Sequence, residues 1–340
     1  MESHDVAIIG GGIIGCAIAR RLAEQGARIV IFERGQTGAE ASWAAGGALI
    51  PDASHDATPE LLDHWLTALR MYPRFVEALR DETGMPFEFR VTGHLVLASD
   101  ESQFEALRRR HEHERAVGVR CELWSAEQVR AAEPAVAPGF VGALSFPDHG
   151  IVDNRRLVSC LALAAAKRGV TIETGQLVTG LLLDGERVVG VDICGEPRYA
   201  GAVVNAAGSW AGLIGSPGAL PIAPAKGQIL ALETRRPLCQ RIISSSVGSL
   251  VSRSDGRHIF GSTVETAGYD KRVTTAAVQR LLTGAIATCP ELADAQVAET
   301  WAGLRPVAPD RQPILGAAHL EGLFVASGHF TMGILSAPAT

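Results

Sequence analysis

The first 33 residues of the chain constrain its fold more than any other stretch. Residues 6–9 form a short apolar run rich in β-branched side chains, which predicts a buried parallel strand. A cluster of glycines follows, and apolar side chains then recur at helical spacing until Gly26. A second apolar run, residues 29–32, stops at Glu33. The order of strand, glycine turn, helix, strand and acid predicts the opening β-α-β unit of an α/β domain.

Three of the glycines, Gly10, Gly12 and Gly15, have the spacing G-x-G-x-x-G. The first would permit a tight turn, the second would let a pyrophosphate approach the backbone, and the third would let the helix lie close to the strand. The pyrophosphate would lie at the helix N-terminus, where free N–H groups favour an anion. Glu33 would accept hydrogen bonds from the adenosine ribose, and its charge disfavours a phosphorylated ribose. The pattern predicts a dinucleotide site and leaves FAD and NAD as alternatives.

The composition limits the classes of protein to which the chain could belong. Its 340 residues, 47% of them hydrophobic, predict two domains or one large α/β domain with an insertion. A net charge of −6 gives no electrostatic reason to expect nucleic acid as a partner. No apolar stretch reaches the ~18 residues of a membrane span, and no leader peptide is visible. The six cysteines are scattered without a C-x-x-C pair, so we expect reduced thiols, no metal site and a cytoplasmic location.

Small residues dominate a second stretch, 41–49, for which a plain NAD-binding domain has no need. Together with the glycine fingerprint, residues 42–47 (SWAAGG) resemble the flavin-dependent D-amino-acid oxidase family, most closely its glycine oxidases of thiamine biosynthesis. Residues 299–316 (ETWAGLRPVAPDRQPILG) and 323–340 resemble the same family, so the likeness runs from the first strand to the last residue. It implies an α/β fold in which a glutathione-reductase-type, Rossmann-like FAD-binding domain carries an inserted antiparallel-sheet substrate domain.

The resemblance also implies a discontinuous cofactor domain. Successive predicted strands and one helix between residues 229 and 287 are typical of the antiparallel substrate domain. We expect the FAD-binding domain to comprise residues 1–88, 145–220 and 297–340. We expect the substrate domain to comprise residues 89–144 and 221–296.

Non-covalent FAD is the cofactor that the resemblance implies. In the family, the segment at residues 42–47 covers the flavin, backbone near Val178 meets the adenine, and residues 203–210 lie beside the pyrophosphate and ribityl chain. Residues 328–333 would surround the flavin ring. The residues expected to contact FAD are Gly10, Gly12, Ile14, Gly15, Glu33, Arg34, Ser42, Ala45, Gly46, Gly47, Val178, Ala206, Ala207, Gly208, Trp210, Arg305, Gly328, His329, Phe330, Thr331, Met332, Gly333 and Ile334.

Arg305 is the candidate catalytic residue, as the clamp for a substrate carboxylate. A guanidinium is planar, always charged and bidentate, which suits a carboxylate better than a lysine does. It also falls at the arginine of the family's W-A-G-L-R-P motif. The alternative is a structural salt bridge. His329 is expected to be structural, because hydride transfer from a neutral amine needs no protein base.

Three positions depart from the glycine oxidase pattern. Thr331 and Met332 replace a common Arg-Asn pair, and Ser249 replaces a tyrosine found in the pocket of some members. These substrate-pocket residues would open space, which indicates a larger or N-substituted glycine-like amine. The resemblance also places a helix after Ala337 and Pro338, where the sequence stops.

The function implied is transfer of a hydride from the α-carbon of a small amino acid to flavin. The imine would hydrolyse, and dioxygen would reoxidise the flavin to give hydrogen peroxide. Alternatives are a flavin dehydrogenase that passes electrons to a quinone or protein, an NAD-dependent dehydrogenase, and a flavin-poor binding module. Self-association into a homo-oligomer is left open. Hydrolase and phosphotransferase motifs are absent from the sequence: there is no G-x-S-x-G, no H-E-x-x-H and no lysine after the glycine loop.

Overall fold

The computed structural model describes residues 4–51, 57–215 and 220–340. Their strands are β1 (His4–Ile9), β2 (Ile29–Glu33), β3 (Ala48–Leu49), β4 (Phe89–Val91), β5 (His94–Ala98), β6 (Glu122–Ser125), β7 (Gly142–Phe146), β8 (Gly150–Val152), β9 (Thr171–Thr174), β10 (Val178–Asp184), β11 (Arg187–Ile193), β12 (Glu196–Asn205), β13 (Ala223–Glu233), β14 (Ile242–Ser245), β15 (Gly248–Ser252), β16 (Arg257–Gly261), β17 (Gln296–Val307), β18 (Ile314–Ala317) and β19 (Leu323–Ser327).

The described helices lie in the connections between strands, apart from α8, which follows the last strand. They are α1 (Ile13–Glu24), α2 (Ala41–Ala44), α3 (Pro59–Thr83), α4 (Glu101–Ala116), α5 (Ala126–Ala132), α6 (Asn154–Lys167), α7 (Thr275–Thr288) and α8 (Gly333–Ser336), with 3-10 turns at Gly208–Leu213 and Pro290–Asp294. None of these helices is long and apolar enough to cross a bilayer.

The first sheet is the nucleotide-binding half of the predicted fold. Its centre is parallel, in the order β19-β12-β1-β2-β9, and a β10-β11 hairpin extends one edge from the first half of β12. All five residues of β2 are buried, as expected for a parallel strand covered on both faces. Helices α1, α3, α6 and α8 contribute side chains to the main core on this sheet. The predicted β-α-β opening is therefore confirmed.

The second sheet has eight strands in the order β17-β13-β16-β15-β14-β5-β7-β6. Every neighbouring pair is antiparallel except β14 and β5, which run parallel. Helix α7 packs on one face of this sheet through Leu281 and Ala285, which lie in a core cluster with Leu230 and Phe260. The expected α/β fold with an added, mainly antiparallel sheet is confirmed. Three short strands, β3, β8 and β4, form a third sheet.

Two of the expected domain boundaries pass through strands of the second sheet. The boundary at residues 144/145 falls within β7, and the boundary at 296/297 falls at the start of β17. Among the described strands, these two pair only with other strands of the second sheet, and the division into a cofactor and a substrate domain stays a prediction.

The last described helical turn, α8, lies before Ala337 and Pro338. It spans Gly333–Ser336, and the helix that the resemblance places after Pro338 stays a prediction. Ile334 and Leu335 are buried in the main core, and the Ser336 N–H donates to the Met332 carbonyl at 2.8 Å. Burial of these two apolar side chains fixes the turn at this position.

Candidate active site and cofactor cavity

An elongated cavity of about 740 Å³ lies between the first sheet and one face of the second. This volume is within the range of ligand and cofactor sites, about 300–1,000 Å³. All of the residues predicted to bind FAD or substrate line the cavity, except Gly15 and Gly328. The structure therefore brings together segments from the start, middle and end of the chain.

The glycine turn after β1 forms one end of the cavity. Gly10 has a φ of +104°, and a Cβ there would lie 2.5 Å from the Ala206 carbonyl oxygen, so only glycine fits. A Cβ on Gly15 would overlap the Gly10 carbonyl oxygen. Gly15 thus lies beneath the turn, where it lets α1 pack closely on the strand. At Gly12, by contrast, a Cβ would meet only the Ser42 hydroxyl, at 3.3 Å.

We expect Gly12→Ala to separate cofactor binding from folding. The backbone at Gly12 is extended, with φ −74°, so alanine fits the fold, but its methyl group would enter the cavity where the sequence predicts that a pyrophosphate approaches α1. FAD affinity should fall about 10- to 100-fold, because overpacking costs ~1–3 kcal/mol. Flavin-fluorescence titration of the apoprotein measures this, with Gly139→Ala as control because no atom lies within 4 Å of its added Cβ. Unchanged affinity would contradict the predicted pyrophosphate position.

Glu33 presents a fixed carboxylate at the carboxyl end of β2. Its Oε2 accepts from the Gly11 N–H and its Oε1 from the Gly35 N–H, both at 2.8 Å. The side chain is buried, 8% exposed, and lines the cavity. Each oxygen retains acceptor capacity, so the group can receive hydrogen bonds from two ribose hydroxyls as the sequence predicts.

Arg34 and Trp210 lie together beside the glycine turn. The Arg34 guanidinium carbon is 3.4 Å from the Trp210 ring centroid, and its Nη2 is 2.7 Å from Glu40 Oε1. The Tyr269 ring stacks on the Trp210 ring, with the two centroids 5.5 Å apart. Lys271 Nζ lies 3.0 Å from Glu40 Oε2. Sequence reasoning missed these last two residues, because they lie in a segment between β16 and α7 without a local pattern.

The segment of small residues, 41–47, is held in place by side chains from distant parts of the chain. Asn154 Nδ2 donates to the Ser42 carbonyl at 2.7 Å, and Trp301 Nε1 donates to the Ala44 carbonyl at 2.9 Å. Arg253 Nη2 donates to the Gly46 carbonyl at 2.8 Å. The Ser42 hydroxyl accepts from the Ile13 N–H at 2.9 Å and so satisfies one free donor of α1. The segment is a rigid cavity wall.

The Arg305 guanidinium lies across Gly227 on the neighbouring strand β13, where any Cβ would overlap it. Its Nη2 donates to Ser262 Oγ at 2.6 Å and its Nη1 to the Thr263 carbonyl at 3.2 Å. No carboxylate of the described residues forms an ion pair with it, and burial lowers its pKa from the ordinary value. The salt-bridge alternative is therefore wrong within the described part of the chain. A partly buried guanidinium that lies on a cavity wall, with no carboxylate partner among the described residues, is suited to bind an anion.

The loop at residues 328–333 lines the cavity through all of its residues except Gly328. The Phe330 N–H donates to the Pro306 carbonyl at 2.8 Å, which fixes the loop to β17 next to Arg305. Gly328 has a φ of +82° and turns the chain instead of lining the cavity. His329 is buried with its Nε2 3.2 Å from Thr340 Oγ1. Burial, together with the nearby His64, lowers the pKa of His329 to about 3, so its ring is uncharged at neutral pH.

Ser249, on β15, is not an isolated pocket residue. Its Oγ lies 2.7 Å from Ser244 Oγ, which in turn lies 2.7 Å from His94 Nε2. Ser244 and His94 also line the cavity, and sequence reasoning missed both. Their β14 and β5 strands become neighbours only in the folded sheet.

The glycine cradle, the α1 N-terminus and the fixed Glu33 carboxylate fit a dinucleotide, and the same cavity continues to Arg305 and to residues 329–334. The fold and site define a dinucleotide-binding flavoprotein. The profile of the family described as FAD dependent oxidoreductase (DAO) matches residues 5–340, so the chain belongs to that family. The predicted family and cofactor are confirmed, and the NAD alternative is excluded.

Individual proteins of this family resemble the chain over nearly its full length. A glycine oxidase of Pseudomonas aeruginosa is 35% identical over 345 residues, covering 99% of this chain and 93% of that protein. The crystal structure of glycine oxidase from Geobacillus kaustophilus is 33% identical with a TM-score of 0.94, covering 99% and 92% of the two chains. The structure of iminodiacetate oxidase from Chelativorans sp. BNC1 is 27% identical with a TM-score of 0.89, covering 98% and 92%.

Proposed function

We propose that the chain is an FAD-dependent oxidase of glycine or of a small N-substituted glycine. The observation that carries this proposal is the Arg305 guanidinium, which lies on the cavity wall without a carboxylate partner among the described residues. Such a group is suited to a substrate carboxylate. The likeness to enzymes named for glycine and for iminodiacetate, an N-substituted glycine, supports this substrate class.

Orientation would be the main contribution of the protein to the reaction. When bound, FAD would supply the two-electron acceptor for a hydride from the substrate α-carbon. Arg305 would hold the carboxylate, and the small residues 44–47 would let the substrate and cofactor lie close together. His329 is a poor proton acceptor because its pKa is about 3. Overall, the amine, water and dioxygen would yield an oxo acid, the released amine and hydrogen peroxide.

A substrate screen tests this function. The purified holoenzyme would be mixed with glycine, sarcosine, D-alanine and larger N-alkylglycines, and peroxide release would be measured. We expect peroxide with glycine or an N-alkylglycine. Anaerobic reduction followed by mixing with air would give the reoxidation rate, since a dehydrogenase would be reduced by the amine but reoxidised slowly by dioxygen. Bound flavin that none of these amines reduces would reject the proposal.

A further inference from the structure

A chain of hydrogen-bonding side chains leads from the substrate end of the cavity into the protein. It runs from Ser249 to Ser244 and His94, and then from His94 Nδ1 to His149 Nδ1 at 3.2 Å. Both histidines are 3% exposed. The two rings stack with centroids 5.5 Å apart, and Phe146 stacks on both. Four polar side chains are therefore held in a row. Ser249, Ser244 and His94 line the cavity, and His149 does not.

The two histidines of this row of side chains, His94 and His149, are uncharged. Burial lowers the pKa of both, and the nearby positive charge of Arg110 lowers it further; that of His149 falls to about 3. Two neutral rings in contact through Nδ1 require one donor and one acceptor. If His149 donates to His94, then His94 donates to Ser244, Ser244 donates to Ser249, and the Ser249 O–H points into the cavity as a donor. If every bond is reversed, Ser249 accepts instead.

The charges at this end of the cavity favour the arrangement in which Ser249 donates. Arg110 lines the same end, with its Nε 2.9 Å from Glu114 Oε1. The acidic residues of the described chain that line the cavity, Glu33 and Glu40, belong to the nucleotide end near Arg34. A ligand group near Ser249 thus meets a hydroxyl donor and the Arg110 guanidinium, which is paired with the buried Glu114, and no acidic cavity-lining residue of the described chain lies beside it. Such surroundings favour a ligand group that accepts hydrogen bonds, and most strongly an anionic group.

Ser249 and Arg305 are placed to bind the two ends of one small molecule. Ser249 pairs with Gly261 across the sheet, and the next residue, Ser262, accepts the hydrogen bond of the Arg305 guanidinium. The two groups are therefore separated by on the order of two strand spacings, ~10 Å. The floor between them carries Ile229 and Ile259. A molecule with two acidic groups separated by a few atoms spans this distance.

We propose that Ser249, supported by Ser244 and His94 and aided by the charge of Arg110, forms a second acid-binding subsite. The preferred substrate would then carry its α-carboxylate at Arg305 and another acidic group at Ser249. This second group is attached through the amine nitrogen or through the α-carbon. The inference rests on the proposed function and specifies its substrate class.

The test compares matched acids and neutral analogues with the holoenzyme. Iminodiacetate is compared with N-ethylglycine for attachment through nitrogen, and D-aspartate with D-2-aminobutyrate for attachment through the α-carbon. In one of these pairs we expect kcat/KM to be about tenfold higher or more for the acid, the size of a hydrogen bond to a charged group. Diglycolate and ethoxyacetate, which lack the amine, give a binding readout through the flavin absorption spectrum, and diglycolate should bind about tenfold more tightly.

Variants assign this preference to the serine. Ser249→Ala should reduce the preference for the acid in both readouts to near unity, Ser249→Thr should retain it, and Ser249→Asp should reverse it. Ser245→Ala is the matched control, because it also removes a serine hydroxyl, from the neighbouring strand β14, at a residue that does not line the cavity. The Ser245 hydroxyl lies near Gly248 and Thr288 instead. This control should keep the preference.

Two results would overturn the subsite. One is a wild-type enzyme that treats the acids and neutral analogues alike in both readouts; the other is a Ser249→Ala variant that discriminates as the wild type does. If no amine reduces the flavin, the proposed function fails, but the diglycolate titration still tests the subsite. The two failures are therefore distinguishable.

Discussion

Replacing Arg305 with methionine is expected to lower kcat/KM for the amine substrate by about 100- to 10,000-fold, mainly through KM. Two hydrogen bonds to a charged carboxylate contribute ~1.5–3 kcal/mol each, and 1.4 kcal/mol corresponds to a factor of ten. Folding should be preserved, because Arg305 has no ion-pair partner among the described residues and its removal leaves no carboxylate uncompensated. Steady-state kinetics measure the loss of kcat/KM, and flavin content and the thermal midpoint measure whether folding is preserved.

Two further variants make this result specific. Arg305→Lys keeps the charge but loses the planar pair of donors, so an intermediate loss is expected. Arg257→Met removes a guanidinium that pairs with Asp255 and does not line the cavity, so its kinetics should match the wild type. Unchanged kinetics in Arg305→Met with full flavin content would remove Arg305 from the substrate site.

The features predicted from the sequence are those that short segments determine by themselves. The glycine turn at Gly10 depends on residues within one β-α-β unit, and its strained φ leaves glycine as the residue that fits. The small residues at 41–47 signal close approach of a ligand even without knowledge of their neighbours. Arg305 was found through a motif, and no carboxylate of the described residues pairs with it.

The residues that were missed act across long stretches of chain. Arg253 contacts Gly46 from 207 positions away, Asn154 contacts Ser42 from 112, and His94 contacts Ser244 from 150. No local periodicity marks such contacts, because their geometry depends on which strands become neighbours.

Acid is expected to destabilise the protein steeply, through four histidines that are buried without charge. His94, His149, His258 and His329 are each at most 4% exposed. Burial lowers the pKa of His258 to about 4 and those of His149 and His329 to about 3, and that of His94 lies well below its ordinary value. In the unfolded chain a histidine titrates near ~6.5. Between about pH 6.5 and 4 the unfolded state therefore binds more protons than the folded state.

The free energy of unfolding should consequently be highest above pH 6.5 and fall as the pH is lowered through this window. Each fully depressed histidine contributes a slope of ~1.4 kcal/mol per pH unit, so four contribute about 5 kcal/mol per unit near pH 5. Because a typical domain has only ~5–15 kcal/mol of stability, unfolding is expected near pH 5. Urea unfolding at several pH values between 7.5 and 5 measures the slope.

Carboxylates also contribute to the dependence of the unfolding free energy on pH, and single histidine replacements separate the histidine contribution from theirs. His258→Gln should lower the slope by about a quarter, because it removes one of four comparable groups. His319→Gln is the matched control: His319 is solvent-exposed, so the replacement should leave the slope unchanged. A free energy of unfolding that stays flat between pH 6.5 and 5 would show that the buried histidines are protonated in the folded protein, and the uncharged Ser249–Ser244–His94–His149 chain would then lose its basis.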